Sequence, residues 1–190
     1  KSTKARLYTR MLCEGAIMVA LALVLNQLKI FRLPNGGSIT LFSMVPFILV
    51  SFRHGVKWGL FTGFVNGCLQ MLLGFWAPPT PTFLYFLGEI LLDYLVAFTP
   101  LGLAGLFKGK KWGIFVGTVV GCLGRFVILF ISGVTVYAQY MPEEFMGMTM
   151  TSPVFYSVLY NGTYMLPNTI LAIIICALLM KPAAKLPSAE

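Results

Sequence analysis

Long apolar runs, separated by short polar or glycine- and proline-rich stretches, dominate the chain. Most of these runs approach or exceed the roughly 20 residues that an α-helix needs to cross a bilayer. The pattern predicts six membrane-spanning helices, the second of them short, over residues 11–30, 38–52, 56–76, 82–107, 112–138 and 154–180. Turn-forming sequences such as Leu33-Pro34-Asn35-Gly36-Gly37 mark the boundaries. We therefore expect one all-α membrane domain over residues 1–190, built as a six-helix bundle.

The composition leads to the same class of protein. Hydrophobic residues make up 58% of the 190 residues, charged residues make up 11%, and the mean hydropathy is +0.85. A soluble domain carries about a quarter charged residues, so this chain has too few to cover a water-facing surface. The first apolar run lacks a clear cleavage site, and we expect it to be a retained helix rather than a signal peptide.

The basic residues predict the orientation of the helices. The net charge is +8, but the basic residues cluster at the ends of apolar runs, which does not indicate a nucleic-acid partner. With the N-terminus inside, eleven Lys and Arg residues lie at the inner ends and only Lys29 and Arg32 at the outer ends. Cytoplasmic loops carry the excess of Lys and Arg in membrane proteins. Both termini are therefore predicted to be cytoplasmic.

Small residues recur at four-residue spacing in three predicted helices. The third helix has Gly59, Gly63 and Gly67, the fifth has Gly113, Gly117 and Gly121, and the first has Ala16 and Ala20. Such faces let helix backbones approach closely where lipid supplies no hydrophobic driving force. We expect the two glycine series to pack inside the bundle. For the alanine pair, a contact with another protein is equally plausible.

Three ionisable side chains fall well inside predicted spans: Glu89 and Asp93 in the fourth helix and Arg125 in the fifth. Each costs roughly 2.5–3.5 kcal/mol at the centre of a membrane helix, so each needs a pairing partner or a function. A fixed ion pair between Arg125 and one acid is the structural alternative. It leaves the other acid available to a cation. Glu14 lies near the inner end of the first helix and is expected to pair with Arg10 one turn earlier.

Aromatic and polar residues of three helices are predicted to meet at one depth in the outer half of the bundle. They are Tyr85, Glu89, Asp93 and Tyr94 of the fourth helix, residues 132–137 of the fifth, and Tyr156, Tyr160 and Asn161 of the sixth. Tyrosine rings stack on flat heterocycles and attract cations. A carboxylate pairs with positive charge, and an amide both donates and accepts. We expect a pocket for a flat, cationic, nitrogen-bearing ligand.

Other functional classes have little support in the sequence. His54 is the single histidine, and it is expected to be a solvated loop residue. Metalloprotease, serine hydrolase and phosphate-loop motifs are absent, and the four cysteines stand singly without metal-ligand spacing. We expect neither catalysis nor a resident metal or cofactor. A stand-alone membrane protein with a structural or enzymatic role is the alternative from another class.

Several short stretches of sequence, taken together and in their order along the chain, are specific for one protein family. They cover residues 34–38, 45–57, 92–98, 101–105, 125–126, 131–133 and 156–167. Together they resemble the thiamine-specific S component of energy-coupling factor (ECF) transporters. The resemblance implies a vitamin-capture subunit in the plasma membrane of a Gram-positive-type bacterium. It also implies a transmembrane scaffold and two cytoplasmic ATPase subunits as partners, with Ala16 and Ala20 matching the alanine motif that contacts the scaffold.

The same resemblance implies roles for residues of the expected pocket. Asp93, followed by Tyr94, stands where the family has the acid that binds the cationic vitamin. Tyr156 and Asn161 stand at the positions of a binding tyrosine and asparagine. Tyr137 stands where an aromatic residue closes over the ligand.

Two positions of the pocket depart from the family pattern. Leu129 stands where the family has a histidine, and Glu89 stands where an uncharged polar residue is expected. Both changes alter which polar groups of a ligand are satisfied, and an unpaired buried group costs roughly 1–3 kcal/mol. Thiamine or a close relative is the leading hypothesis for the ligand. Another cationic or amino-bearing heterocycle, such as a pyrimidine precursor, is the alternative.

Overall fold

Helices dominate the computed structural model, which describes residues 2–75 and 82–184. They are α1 (Ser2–Gln27), α2 (Val45–His54), α3 (Val56–Gly74), α4 (Phe83–Glu89), α5 (Gly113–Thr135) and α6 (Pro153–Ala184). The described residues also form two antiparallel hairpins: β1 (Lys29–Arg32) with β2 (Ser38–Thr40), and β3 (Glu144–Phe145) with β4 (Met148–Thr149). The predicted end of the third helix at Trp76 lies outside the described residues.

Four described segments are long and apolar enough to cross a membrane. They are Lys4–Gln27, Phe83–Phe107, Gly113–Thr135 and Pro153–Met180. The apolar helix α2 has only 10 residues, and α3, with 19, does not reach the hydropathy of the four. The prediction of a mostly helical membrane fold is confirmed, whereas the count of six crossings stays a prediction.

The connection between the first two helices differs from its prediction. The first helix was expected to end at residue 30 and the second to begin at residue 38, but α1 ends at Gln27 and α2 begins at Val45. Between them, β1 and β2 pair across a tight turn in which the Leu33 N–H donates to the Gly37 carbonyl oxygen at 2.7 Å. Gly36 adopts a φ of +90°, which favours glycine. β1 has only four residues and begins two positions after α1 ends, so hydropathy alone did not separate it from the helix.

The fourth predicted helix is irregular where its acids lie. After α4 the chain continues as one π-helical segment, Ile90–Leu95, and then as a 3-10 helix, Thr99–Phe107. Pro100 lies at the start of the 3-10 helix, where its missing N–H costs no helical hydrogen bond. Glu89 is the last residue of α4 and Asp93 lies within the π-helical segment. Such π-helical turns are frequent at functional sites because they redirect side chains.

The glycine series hold this irregular segment between α3 and α5. A methyl group at Gly67 would lie 2.1 Å from the Tyr94 carbonyl oxygen, closer than real contacts allow. A methyl group at Gly113 would lie 2.0 Å from the carbonyl oxygen of Phe107. Glycine is therefore required where the two helices contact this backbone. The predicted internal packing of both series is confirmed.

The alanine pair of α1 lies on an exposed face. Ala16 and Ala20 are both exposed, as are the neighbouring Ile17, Leu21 and Val24. An exposed apolar face on a membrane helix suits lipid or another membrane protein. The role of the pair in docking stays a prediction.

Candidate ligand-binding site

A cavity of about 410 Å³ opens between the helices and the β1–β2 hairpin. This volume lies in the range of sites for small molecules. Seven of the eight residues predicted to bind ligand line it: Glu89, Asp93, Tyr94, Leu129, Tyr137, Tyr156 and Asn161. The eighth, Tyr85, lies half-buried in the first half of α4 and does not line the cavity. The contacts of these residues with a ligand stay predictions.

Both acids of the cavity accept hydrogen bonds from neutral hydroxyl groups. The Tyr137 hydroxyl donates to Glu89 Oε2 at 2.8 Å, and Glu89 is only 2% exposed. The Ser132 hydroxyl donates to Asp93 Oδ2. Within the described ranges, no Lys or Arg nitrogen lies at ion-pair distance from either carboxylate. The hydroxyls orient the two acidic groups, and both groups remain available to a cation.

Arg125 of α5 lines the same cavity without pairing to these acids. Its guanidinium carbon lies 3.7 Å from the centre of the Phe98 ring, in a cation–π contact. Its Nε and Nη1 atoms are buried and have no hydrogen-bond partner among the residues that the structure describes. The fixed ion pair considered for Arg125 is therefore not formed. Glu89, Asp93 and Arg125 are called the cavity cluster below.

Tyrosines of α6 form one wall of the cavity. Tyr156, Tyr160 and Tyr164 follow at one-turn intervals, with ring centres 5.5 and 5.8 Å apart. The Tyr164 hydroxyl donates to Asn161 Oδ1 at 2.6 Å, and Asn161 Nδ2 donates to the Ser157 carbonyl oxygen at 2.9 Å. The Asn161 amide also donates to the Leu129 carbonyl oxygen of α5 at 3.3 Å, so it is held by neighbours on two helices. A ligand that bonds to this amide has to share or replace these contacts.

The β1–β2 hairpin covers the cavity and is fastened to α6. The Tyr160 hydroxyl donates to the Pro34 carbonyl oxygen and accepts from the Gly37 N–H at 2.9 Å. Asn168 Oδ1 accepts from the Thr40 N–H at 3.0 Å, and its Nδ2 donates to the Ser38 carbonyl oxygen at 3.0 Å. This role of Asn168 was not predicted from the sequence. Its signal was a polar amide within an apolar helix, which needs partners when buried.

An apolar side chain and a lysine also contribute to the lining of the cavity. Leu129 is 7% exposed and lies one turn after Arg125, where it gives the cavity an apolar wall. Lys29 of β1 also lines the cavity, although it was expected only as a basic residue at the outer end of a helix. Burial lowers the pKa of the Lys29 ammonium, and the nearby charge of Arg32 lowers it further. The lining therefore carries cations as well as carboxylates.

A second charged cluster lies on α1 and at the α2–α3 turn and is called the paired cluster below. Its members are Arg10, Glu14, Arg53 and His54. Glu14 accepts from Arg10 Nε at 2.9 Å and from Arg53 Nη2 at 2.9 Å, so the predicted pairing with Arg10 is confirmed. The expectation of a solvated His54 is wrong: its side chain is 1% exposed, with Nε2 at 2.6 Å from Glu14 Oε2. The packing of α2 on α1 buries it.

Comparison with known proteins decides the family. A family model described as thiamine transporter protein (Thia_YuaJ) matches residues 12–188. The chain belongs to this thiamine transporter family. It is 35% identical to the thiamine transporter ThiT of Bacillus subtilis (strain 168), over 92% of each chain. It is 28% identical to the thiamine transporter ThiT of Lacticaseibacillus paracasei, over 91% of this chain and 88% of the relative.

A solved structure of ThiT from Listeria monocytogenes has the same fold. The TM-score is 0.78, with 94% of this chain and 97% of the other covered, at 21% sequence identity. Membership of the thiamine transporter family assigns the protein to transport rather than to catalysis. Together with the apolar helices, it also assigns the protein to the plasma membrane as a multi-pass protein.

Proposed function

We propose that this member of the thiamine transporter family captures thiamine in the cavity beneath the β1–β2 hairpin. One observation carries the proposal. The cavity holds two carboxylates with no cation at ion-pair distance in the described part of the chain, beside a row of tyrosine rings. Thiamine carries a permanent positive charge on its thiazolium ring and has two flat heterocycles. Its chemistry therefore matches both features of the lining.

The carboxylates of Glu89 and Asp93 favour a cationic ligand beside them, although Lys29 and Arg125 line the same cavity. In a site of low dielectric, an ionised carboxylate without a cation is costly, and a cationic ligand removes that cost when it binds. The hydroxyls of Tyr137 and Ser132 stabilise Glu89 and Asp93 while the cavity is empty. The tyrosines add stacking and cation–π contacts. Asp93, on the π-helical segment, is the proposed main partner of the thiazolium.

The hairpin is the proposed gate for entry and release. It is held to α6 by the hydroxyl of Tyr160 and the amide of Asn168, and its Leu33 and Ile39 side chains pack against the core. The proposed opening breaks these hydrogen bonds and apolar contacts while the helices stay packed. A closed hairpin slows the escape of a bound ligand, and an open one admits it from outside.

The proposal extends to the arrangement in the membrane and to partners. Six crossings with cytoplasmic termini are supported by the distribution of Lys and Arg. A transmembrane scaffold and two cytoplasmic ATPases of the ECF type are the proposed partners, since this chain has no phosphate-loop motif. The exposed Ala16 and Ala20 of α1 are the proposed contact with the scaffold. ATP hydrolysis by the partners reorients the loaded subunit and releases thiamine inward.

A titration distinguishes thiamine from the alternative ligand class. The purified protein is titrated with thiamine and, separately, with its hydroxymethyl-aminopyrimidine precursor, using tryptophan fluorescence and calorimetry. Tight binding of thiamine and weak binding of the neutral pyrimidine supports the proposal, because only thiamine brings the fixed charge. Leu129 is the observation that favours the alternative. Tight binding of the pyrimidine with little binding of thiamine would overturn the proposed ligand.

A further inference from the structure

The same five-residue pattern occurs at the start of two helices. Residues 57–61 of α3 read Lys-Trp-Gly-Leu-Phe, and residues 111–115, where α5 begins, read Lys-Trp-Gly-Ile-Phe. The two copies differ only at the fourth position, which is Leu in one and Ile in the other, and they are called the lysine–tryptophan motifs below. Neither motif lines the ligand cavity, so the proposed function does not account for them.

In both motifs the glycine packs inwards against the 3-10 helix. A methyl group at Gly59 would lie 2.8 Å from Gly102 Cα, and one at Gly113 would lie 2.0 Å from the Phe107 carbonyl oxygen. The tryptophan and phenylalanine of each motif are three positions apart and share another face. Their rings are in contact in both copies, with centres 5.9 Å apart in the first motif and 5.6 Å apart in the second. The two motifs are therefore built alike.

The lysines and aromatic rings of the motifs are on the surface of the bundle. The exposed members are Lys57, Phe61, Lys111, Trp112 and Phe115, and Trp58 is half-buried. In the first motif, the lysine and both rings line a groove of about 240 Å³. Neither lysine forms an ion pair with an acid of the described ranges. A surface that combines an ammonium group with aromatic rings suits an anion that also has an apolar part.

The charge around both motifs is positive. Lys108 and Lys110 are exposed in the connection between the 3-10 helix and α5, and Lys108 Nζ donates to the Arg53 carbonyl oxygen at 3.3 Å. This contact shows that the connection lies beside the α2–α3 turn, so both motifs are at the same end of the bundle. Of the acids that the structure describes, only Glu14 lies at this end, and it already pairs within the paired cluster.

We propose that the two lysine–tryptophan motifs bind anionic phospholipids at the inner surface of the membrane. The lysine pairs with the lipid phosphate, the tryptophan lies at the level of the headgroups, and the phenylalanine contacts an acyl chain. An anionic lipid fits because it brings a negative headgroup and an apolar tail to the same surface. The choice of the inner surface rests on the proposed orientation, whereas the preference for anionic lipid does not.

Quenching of tryptophan fluorescence by brominated lipids tests the inference. Trp76→Phe leaves Trp58 and Trp112 as the reporters, since the chain has three tryptophans. This parent is reconstituted in bilayers of phosphatidylcholine and phosphatidylglycerol, in which one lipid at a time is brominated. Stronger quenching by brominated phosphatidylglycerol is expected, corresponding to roughly fivefold tighter binding than of phosphatidylcholine at each motif. A further Trp58→Phe or Trp112→Phe change assigns the preference to one motif.

Removing the motif lysines should abolish the preference. In Lys57→Gln, Lys111→Gln, both brominated lipids are expected to quench equally, whereas Lys57→Arg, Lys111→Arg keeps the charges and should keep the preference. Lys4→Gln, Arg6→Gln removes the same charge from exposed positions of α1 and is the matched control, expected to keep the preference. Melting temperatures in detergent close to that of the parent show that each variant is folded. The assay contains no thiamine, so it does not depend on the proposed ligand.

The outcomes separate lipid sites from a general effect of charge. Loss of the preference in Lys57→Gln, Lys111→Gln alone supports the two motifs as lipid sites. A preference that survives in this variant, or that Lys4→Gln, Arg6→Gln abolishes equally, would assign it to overall positive charge and overturn the inference. Equal quenching by the two lipids in the parent would also overturn it, and would favour an acidic segment of a partner protein as the occupant.

Discussion

The paired cluster and the cavity cluster use the same kinds of charged residue in opposite ways. In the paired cluster, one carboxylate, that of Glu14, accepts hydrogen bonds from Arg10, Arg53 and His54. In the cavity cluster, two carboxylates accept only from hydroxyls among the described residues, and the guanidinium of Arg125 rests on an aromatic ring. Charges that pair with each other fasten helices together, whereas charges that are held apart remain available to a ligand.

The difference assigns different energetic roles to the two ends of the bundle. In the paired cluster, the acid and the basic residues hydrogen-bond to one another without a ligand. These bonds join α1 to the α2–α3 turn through residues about forty positions apart in sequence. The acids and the guanidinium of the cavity cluster gain charged and hydrogen-bonding partners only when a molecule brings a positive charge and hydrogen-bond acceptors. Variants of the first cluster should therefore change stability, and variants of the second should change ligand affinity.

The largest effect on ligand binding is expected for Asp93→Asn. Removing this negative charge should weaken thiamine binding by roughly a hundredfold, because a charged hydrogen-bonding partner is lost in a site of low dielectric. Calorimetric titration of the purified variant measures the change. The amide keeps the size of the side chain, so the fold should be unaffected. If Asp93→Asn binds thiamine as tightly as the parent, the central role of this acid is refuted.

The matched change in the paired cluster is Glu14→Gln. It should lower the free energy of unfolding by about 2 kcal/mol, less than for a fully buried pair because Glu14 is partly exposed. Thiamine affinity should stay within about twofold of the parent. Thermal unfolding with and without thiamine measures both quantities. A large loss of affinity at unchanged stability would break the distinction between the two clusters.

Tyr160→Phe tests the contact between the hairpin and α6. The variant loses the hydroxyl that bridges Pro34 and Gly37. Dissociation of thiamine should become about tenfold faster, since the cover over the cavity is held less firmly. Stopped-flow fluorescence measures the rate, and Tyr8→Phe on the exposed face of α1 is the control. An unchanged dissociation rate would show that the hairpin does not limit release.

A smaller effect is expected for Leu129→His. An added imidazole can supply one neutral hydrogen bond, which should tighten thiamine binding by about three- to tenfold. The measurement is a titration beside the parent, with Leu129→Met as a control for changed shape. If the parent hardly binds thiamine and Leu129→His restores binding, the parent cavity suits another heterocycle.

The smallest effect on ligand affinity is expected for the double variant Ala16→Trp, Ala20→Trp. Both residues lie on the exposed face of α1 and do not line the cavity, so thiamine binding by the isolated protein should be unchanged. Uptake into cells that express the complete transporter should fall strongly, because two indole rings block the proposed contact with the scaffold. Uptake at the parent level would refute the docking assignment.

Features set by local hydropathy could be predicted from the sequence, and features set by long-range contacts could not. Apolar runs predict the membrane helices. Counting residues from the helix ends predicts that Asp93, Tyr137 and Tyr156 lie at one depth, and in the structure all three line one cavity. The burial of His54 depends on Glu14, which lies 40 positions away, and no local pattern contains it. The β1–β2 hairpin was missed because β1 has only four residues, and its position depends on contacts with α6 that are distant in sequence.

The irregular fourth helix is a further feature that sequence patterns did not contain. The π-helical segment Ile90–Leu95 depends on the close approach of glycine backbones from α3. Likewise, the sequence places Arg125 near two acids, but only the structure shows that it rests on Phe98 and pairs with neither. Distances between side chains decided whether these charges belong to a structural ion pair or to a binding site.

The most direct test of the account titrates thiamine into the parent, Asp93→Asn and Glu14→Gln side by side. Each variant changes one acid to its amide, one in the cavity cluster and one in the paired cluster. We expect tight binding by the parent and Glu14→Gln, and roughly hundredfold weaker binding by Asp93→Asn. Equal affinities for all three proteins, or no binding of thiamine by the parent, would contradict it.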